Sequence, residues 1–230
     1  MAIRLPLAAI VLLALSLVAF WPRYLSRLGA VDINTHWHAV LGVVWLLLLV
    51  VQPLLVRGRR LRDHRIVGRA ACGIGVAFVV TGVLLSHRLA AQMDAQEFAQ
   101  WGYSVYLPLS MTAIFAVALT FAIKWRSVPA IHSRFMACTA LPLLDPLLAR
   151  IAGFYFPPLP AEWLYQVPAF TLCGVVLVGL ARSLPRATPG RRDFHVFAIG
   201  TAVTLLAFFV TPHSETWFSF VTWFRTLPLT

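Results

Sequence analysis

Long uncharged runs, separated by short turns rich in arginine, constrain this chain more than any other feature of its sequence. Of the 230 residues, 60% are hydrophobic and only 12% are charged. A soluble domain carries roughly 25% charged residues, so these polar side chains are too few to cover a water-soluble globule. Because most uncharged runs are close to the ~20 residues that a helix needs to cross a bilayer, the sequence predicts an integral membrane protein.

The uncharged runs predict an all-α fold, in which residues 1–230 form one domain with seven transmembrane helices. The first run also has the charged start of a signal peptide, but its apolar region is long and no small-residue cleavage motif follows it, so we expect it to stay as a helix. Four aromatic or apolar residues near the end recur at helical spacing and predict a short interfacial helix over 215–226. The expected spans are 5–22, 36–56, 68–87, 103–123, 135–156, 163–181 and 194–212.

The placement of the positive charges predicts the orientation in the membrane. The net charge of +11 arises from nineteen Lys and Arg residues against eight Asp and Glu residues. Fourteen of the nineteen fall on one side of the predicted membrane, and cytoplasmic loops attract such an excess, so we expect the N-terminus inside and the C-terminus outside. The basic residues form no continuous face for a nucleic acid. The expected partners are therefore the lipid bilayer and, through the aromatic C-terminal segment, another protein.

Two turns on the basic side place a histidine and arginines at the start of a predicted helix. Unpaired N–H groups at a helix N-terminus already favour an anion, and imidazole and guanidinium groups add to that preference. The turns therefore predict a site for a phosphate headgroup, a haem propionate or an anionic substrate. The alternative is that these charges only orient the chain and contact acidic lipid. The candidate ligand-binding residues are His64, Arg65, Arg69, His132 and Arg134.

Four further histidines, His36, His38, His87 and His213, lie at the opposite ends of the predicted helices. Neutral imidazoles that converge from different helices bind metal ions or haem, so these four are candidate metal ligands, with haem b or a metal ion as the cofactor. On one helix His36 and His38 would point about 200° apart. The alternative is that interfacial histidines anchor the helix ends.

Asp145 is the one carboxylate that lies deep inside a predicted span, between Pro142 and Pro146. An ionisable group at that depth costs about 2.5–3.5 kcal/mol on insertion scales, which makes it a candidate functional residue. The prolines free main-chain carbonyls nearby, so a small polar cavity is expected there. Asp145 is thus the candidate catalytic acid, handling a proton or a cation. The alternative is a neutral carboxylic acid bonded to a neighbouring helix.

Small residues recur along the third predicted helix. Such a stripe lets two helix backbones approach closely in lipid, and we favour this interpretation. The alternative is that the small side chains leave space for a flat cofactor. The stripe consists of Gly68, Cys72, Gly75, Gly82 and Ser86.

The pattern H-x(n)-Q-x(n)-HR-x-x-GR, followed by H-x-R-x-M, resembles a group of uncharacterised multi-pass bacterial membrane proteins. The resemblance covers roughly residues 36–150. It implies a bacterial inner-membrane protein and no established activity. A weaker likeness, to transmembrane b-type cytochromes, depends on histidines near helix ends. The residues of the pattern are His36 or His38, Gln52, His64, Arg65, Gly68, Arg69, His132, Arg134 and Met136.

These features together predict a polar intramembrane or inner-face site for a cofactor or small anionic ligand. A redox function with haem or quinone is favoured over transport. Two alternatives stay open. One is a non-catalytic accessory or assembly subunit that meets a partner through its aromatic C-terminal segment. The other is a proton-coupled transporter that uses Asp145. Whether the chain is an enzyme is also open at this point.

Overall fold

The computed structural model describes residues 4–156, 158 and 162–230. The chain is 83% helix, with no strand in the described ranges. Short 3-10 turns at Leu25–Ala30, Gly102–Val105, Leu141–Leu143, Glu162–Tyr165 and Thr211–His213 connect or extend the α-helices. The α-helices are α1 Arg4–Phe20, α2 Ile33–Arg57, α3 Leu61–Gln92, α4 Ala95–Trp101, α5 Tyr106–Lys124, α6 Pro129–Cys138, α7 Leu144–Tyr155, α8 Val167–Arg182, α9 Arg191–Ala207 and α10 Glu215–Phe224.

Five helical segments are long and apolar enough to cross a membrane: Ile33–Arg57, Leu61–Gln92, Ala95–Lys124, Pro129–Tyr155 and Arg191–His213. Two apolar helices are shorter, α1 with 17 residues and α8 with 16. The predicted all-helical membrane fold is therefore confirmed at the level of five such segments. The count of seven spans depends on the two shorter helices and stays a prediction.

The apolar helices pack side by side around a closed path. Helix α2 lies between α1 and α3, α3 packs on α5, and α5 packs on α9. Helix α9 then contacts α8, α8 contacts α7, and α7 returns to α1. Helix α6 packs on α5 and leads into α7. These contacts bring together the C-terminal ends of α2 and α5 and the N-terminal ends of α3 and α6.

Several helix boundaries differ from the sequence prediction, and each difference has a local cause. Helix α3 begins at Leu61 rather than at residue 68, because the arginine-rich turn after α2 is short and residues 61–67 are already helical. The predicted span 135–156 is two helices, since α6 ends at Cys138 and α7 begins at Leu144. Pro142 and Pro146 lie at this break, where each lacks the N–H that a continuous helix would need.

Glycines on α3 bring its backbone close to α5. A Cβ built at Gly75 would lie 2.5 Å from Leu119 Cδ2 and 3.1 Å from the Trp45 ring. At Gly82 the added atom would lie 2.7 Å from Thr112 Oγ1. Close packing of the small-residue stripe is therefore confirmed at these two positions.

Helix α10 carries the aromatic stripe of the C-terminal segment and packs partly on the chain itself. Val221 and Phe224 are 0% and 5% exposed, whereas Trp223 is 56% exposed. The indole N–H of Trp217 donates to the Gly102 carbonyl at 3.3 Å. The aromatic surface left for another protein is thus smaller than the sequence suggested.

Candidate functional site

Three polar side chains from three helices come together beneath the arginine-rich turns. Gln52 is near the end of α2, His64 is in the first turn of α3, and His132 is in the first turn of α6. The sequence separates Gln52 from His132 by eighty positions. Packing of α2 on α3, α3 on α5, and α5 on α6 places the three helix ends side by side.

Gln52 is the most buried member of this group, at 8% exposure. Both its amide nitrogen Nε2 and its carbonyl oxygen Oε1 are buried, and neither has a hydrogen-bond partner among the residues that the structure describes. The amide lies against α3, where Nε2 is 3.7 Å from the position of a Cβ at Gly68. Because buried amides are nearly always hydrogen-bonded, this one is unusual enough to mark a site.

His64 lies between Gln52 and the basic turn. Its imidazole is beside the main-chain carbonyl of Gln52 and within electrostatic range of His132 and Arg65. Its Nδ1 is buried and has no hydrogen-bond partner within the described part of the chain. A second polar side chain on the same side of the bundle therefore has unused hydrogen-bonding capacity.

The orientation of His132 is fixed by the end of α5. Its Nδ1 is 2.8 Å from the carbonyl oxygen of Ala122, and a carbonyl only accepts, so Nδ1 carries the hydrogen and donates it. In the neutral imidazole the other nitrogen, Nε2, then carries a lone pair and accepts. The hydrogen bond thus determines which kind of ligand atom this ring can receive.

Positive charge dominates the surface around the site. Arg65 and Arg69 are exposed on the first turns of α3. Within the described ranges, the ion pairs near the arginine-rich turns are Arg60 with Asp63 and Lys124 with Asp193, both at 2.7 Å. Most of the predicted inner-side cations therefore have no acidic partner among these pairs, and the potential at the site favours an anion.

Arg134, predicted to bind the same anion, uses its guanidinium differently. The side chain is 6% exposed and donates to the Leu180 carbonyl at 3.2 Å and to the Ser183 carbonyl at 2.6 Å. It also donates to the Ala130 carbonyl at 2.5 Å and to Ser183 Oγ at 3.0 Å. Arg134 therefore joins α6 to the C-terminal end of α8, where helix carbonyls have no helical donors.

The four histidines predicted as metal ligands lie apart, each with partners of its own. His36 accepts from or donates to Tyr24 Oη at 2.9 Å and donates to the Leu28 carbonyl at 3.1 Å. His38 lies 3.0 Å from Thr81 Oγ1 and stacks on Phe78.

The other two are also separate from each other. His87 is 1% exposed, and its Nδ1 lies 2.7 Å from Thr230 Oγ1. His213 is exposed and stacks on Tyr103. No group of three or more His, Cys, Asp or Glu side chains able to hold a metal occurs in the described part of the chain. The metal hypothesis for these four histidines gains no support from their positions.

Asp145 is buried at the break between α6 and α7, in the first turn of α7. Asp145 is 6% exposed, and in the described ranges Oδ1 has no hydrogen-bond partner. Arg150 lies one turn further on, where it donates to the Pro146 carbonyl at 3.0 Å and lies over the Phe20 ring. Asp145 is therefore buried as expected, at a break between two helices that the sequence prediction had as one span.

Gln52 belongs to the resemblance pattern, but the sequence alone assigned it no functional role. The signal was available, because Gln52 is the one amide inside an otherwise apolar run from Ala39 to Val56. An uncompensated amide in a predicted span is costly enough to require a partner.

The fold and the site define a class: a helical protein with five segments able to cross a membrane and a polar cluster at the basic ends of its helices. No family model, no curated protein and no solved structure matches the chain. The resemblance to bacterial membrane proteins is not supported by these comparisons, and bacterial origin stays a prediction.

Proposed function

We propose that this chain is a seven-span membrane protein that binds a small anionic ligand on the cytoplasmic side, among Gln52, His64 and His132. The observation that carries the proposal is a pair of buried polar groups, the Gln52 amide and His64 Nδ1, that have no hydrogen-bond partner among the described residues. Arg65 and Arg69 are exposed on the same helix as His64. In this proposal the bilayer is the inner membrane of a bacterium, as the resemblance implies.

Energetics favour a ligand for the Gln52 amide. A buried amide without a hydrogen bond costs about 2–7 kcal/mol, depending on the reference state. An anion with several oxygens would accept both N–H groups of the amide and would be attracted by the arginines. A cation would meet the same arginines unfavourably, which is why we favour an anion over a metal ion.

Arg134 belongs to this proposal as a positioning residue rather than as a ligand. Its guanidinium fixes α6 against α8 through the carbonyls of Leu180 and Ser183. The first turn of α6 carries His132, so the orientation of that imidazole depends on the placement of α6.

The site hypothesis is tested by binding of anionic lipid analogues to the purified full chain. Short-chain phosphatidylglycerol and phosphatidate serve as anionic probes, with phosphatidylcholine as the zwitterionic comparison. We expect Gln52→Leu, which keeps the volume and removes the amide, to weaken anion binding about tenfold. Gln100→Leu, at an exposed position of α4, is the matched control and leaves binding unchanged. Equal affinity for all three headgroups rules out the anion site.

The cofactor version of the proposal has its own measurement. A haem in gently extracted protein gives a Soret band, and an extract analysed for quinone shows whether a quinone accompanies the chain. Either result identifies the redox function that the sequence placed ahead of transport. Extracts without either compound favour a ligand that is not redox-active.

The orientation is tested with single cysteines and a membrane-impermeant maleimide. Arg59→Cys and Ala187→Cys lie in exposed turns of the proposed inner side, and Gln96→Cys and Thr226→Cys lie on the proposed outer side. With seven spans, intact cells are labelled at the second pair only and inverted vesicles at the first pair only. Labelling of Ala187→Cys in intact cells shows that the short helix α8 does not cross.

A second candidate function is transport coupled to Asp145. Its buried Oδ1, which has no hydrogen-bond partner among the described residues and lies at a break between two helices, favours transport. A carboxyl group in such a break can exchange a proton or hold a cation with the help of freed carbonyls. Proton flux into liposomes that disappears in Asp145→Asn supports transport, and flux that persists contradicts it.

A further inference from the structure

We propose that the anion bound by Gln52, His64 and His132 is a phosphate monoester, that is, a phosphoryl group with one ester bond and one ionisable proton near neutral pH. The inference rests on the proposed function, because it names the ligand class of the same site. The monoester group has two sources, a lipid headgroup such as phosphatidate or a soluble phosphate compound.

The hydrogen bond between His132 and Ala122 limits what the imidazole can offer a ligand. Since Nδ1–H donates to the Ala122 carbonyl, the neutral ring offers only an acceptor, Nε2, to a ligand. A fully deprotonated anion presents acceptors only, so it cannot bond to that nitrogen. A ligand that brings a hydrogen can.

His64 repeats the arrangement on α3. The main-chain carbonyl of Gln52 lies beside the His64 imidazole, only accepts, and so favours a ring N–H on that side. The ring nitrogen left as an acceptor is then Nδ1, which has no hydrogen-bond partner among the described residues. The two rings lie within electrostatic range of each other and of Arg65.

Gln52 and the arginines supply the complementary half. The Gln52 amide has two N–H donors on Nε2, which is buried and has no hydrogen-bond partner in the described part of the chain. On the same helix as His64, Arg65 and Arg69 add guanidinium donors, which suit phosphate geometry. The site thus combines donors for charged oxygens with acceptors for a hydroxyl.

A phosphate monoester meets both requirements. Its second ionisation falls at a pKa of about 6, so near neutral pH the group still exchanges one proton. That proton is shared between a phosphate oxygen and an imidazole nitrogen, while the remaining oxygens accept from Gln52 and the arginines. No bond other than that to the proton is made or broken. A phosphodiester and sulfate lack this proton, so they satisfy the donors but leave the imidazole acceptors unused.

The test measures binding to the full chain in detergent at pH 7 for four probes: dihexanoyl phosphatidate, dihexanoyl phosphatidylglycerol, inorganic phosphate and sulfate. We expect the two lipids to differ by about tenfold or more in favour of phosphatidate, and phosphate to exceed sulfate by a similar factor. A preference for phosphatidate over inorganic phosphate identifies a lipid headgroup as the source. The reverse order identifies a soluble phosphate.

The variants assign the preference to the imidazoles. His64→Asn and His132→Asn lose the preference for monoester over diester, whereas His213→Asn, an exposed histidine on the proposed outer side, keeps it. Size-exclusion profiles and tryptophan emission show whether each variant folds. If a variant does not fold, the ratio of phosphatidate to phosphatidylglycerol affinity in the unchanged chain still decides the question.

Three other outcomes would contradict either the ligand class alone or the anion site as well. Equal binding of monoester and diester that is lost in Gln52→Leu overturns the ligand class and leaves the anion site standing. Absence of binding for all four probes overturns both. Zinc binding that depends on His64 and His132, in place of anion binding, also overturns both.

Discussion

The indole N–H of Trp45 donates a 3.0 Å hydrogen bond to the hydroxyl of Thr139, across 94 residues of sequence. Trp45 is on the buried face of α2, and Thr139 follows the last residue of α6. The side chains are 1% and 0% exposed. The bond therefore fixes the start of the α6–α7 break against α2, two turns from Gln52.

Replacing this threonine tests the bond. Thr139→Val keeps the shape and leaves the indole N–H buried without a partner, so we expect the free energy of unfolding to fall by about 1–2 kcal/mol. Thr139→Ser retains a hydroxyl and serves as the control. Unfolding in mixed micelles by titration with dodecyl sulfate provides the measurement. Equal stability of the two variants contradicts a contribution from this bond.

Several features of the fold were predictable because they are local in sequence. Asp32 directly precedes α2 and is of a residue type that caps helices, and its Oδ1 accepts from the N–H groups of Asn34 and Thr35. The apolar runs predicted the segments that could cross a membrane, because span length is set by bilayer thickness. The ends of α3 and α6 were less predictable, since short turns between long helices carry few stop signals.

The site was predictable only in part, because its members converge through packing. His64 and His132 were selected for their positions at helix starts, whereas Gln52 had no assigned role. Arg134 shows the limit most clearly: its neighbours in sequence resemble an anion-binding turn, but its partners Leu180 and Ser183 lie more than forty residues away. Nothing local distinguishes an arginine that binds a ligand from one that binds helix carbonyls.

A pair of glycines two residues apart on α3 gives a second prediction. Gly75→Ala places a methyl group 2.5 Å from Leu119 Cδ2 and 3.1 Å from the Trp45 ring, and we expect a loss of about 1–3 kcal/mol in stability from overpacking. Gly73 has no atom within 4 Å of its added Cβ, so Gly73→Ala is neutral or gains up to about 1 kcal/mol from helix propensity. The same dodecyl sulfate titration compares them. A stable Gly75→Ala variant would show that α3 and α5 can separate without cost.

Arg134 gives a third prediction. Arg134→Lys keeps the charge but cannot reproduce the fork that reaches two carbonyls of α8, so we expect a loss of about 1–3 kcal/mol. Arg126→Lys, at an exposed position in the neighbouring turn, is the control and changes stability by less than about 0.5 kcal/mol. The preference for phosphate monoester over diester survives in folded Arg134→Lys if the arginine positions α6 and does not touch the ligand. Loss of that preference with unchanged stability assigns Arg134 to the ligand instead.

Asp32 gives a prediction about acid stability. Partial burial raises the pKa of its carboxyl group, but hydrogen bonds from Thr35 and Asn34 and the charge of Arg88 outweigh that effect and hold the pKa below its usual value of 3.8. Arg88 Nη1 lies 2.7 Å from Asp32 Oδ1, which ties the start of α2 to the last turns of α3. A folded-state pKa below the unfolded value means that the carboxylate stabilises the fold above about pH 4.

This contribution is lost as the pH falls through the lowered pKa of Asp32, because protonation removes the charge that Arg88 and the N–H groups favour. We expect Asp32→Asn to retain most of the helix cap, since asparagine also caps, and to have a smaller fall in melting temperature between pH 6 and pH 3. Asp32→Ala loses the cap as well and is less stable by about 0.5–2 kcal/mol at every pH. The melting temperature of the three proteins across this range provides the measurement. Parallel curves for the unchanged chain and Asp32→Asn contradict a role for the Asp32 charge, and a stable Asp32→Ala contradicts the cap.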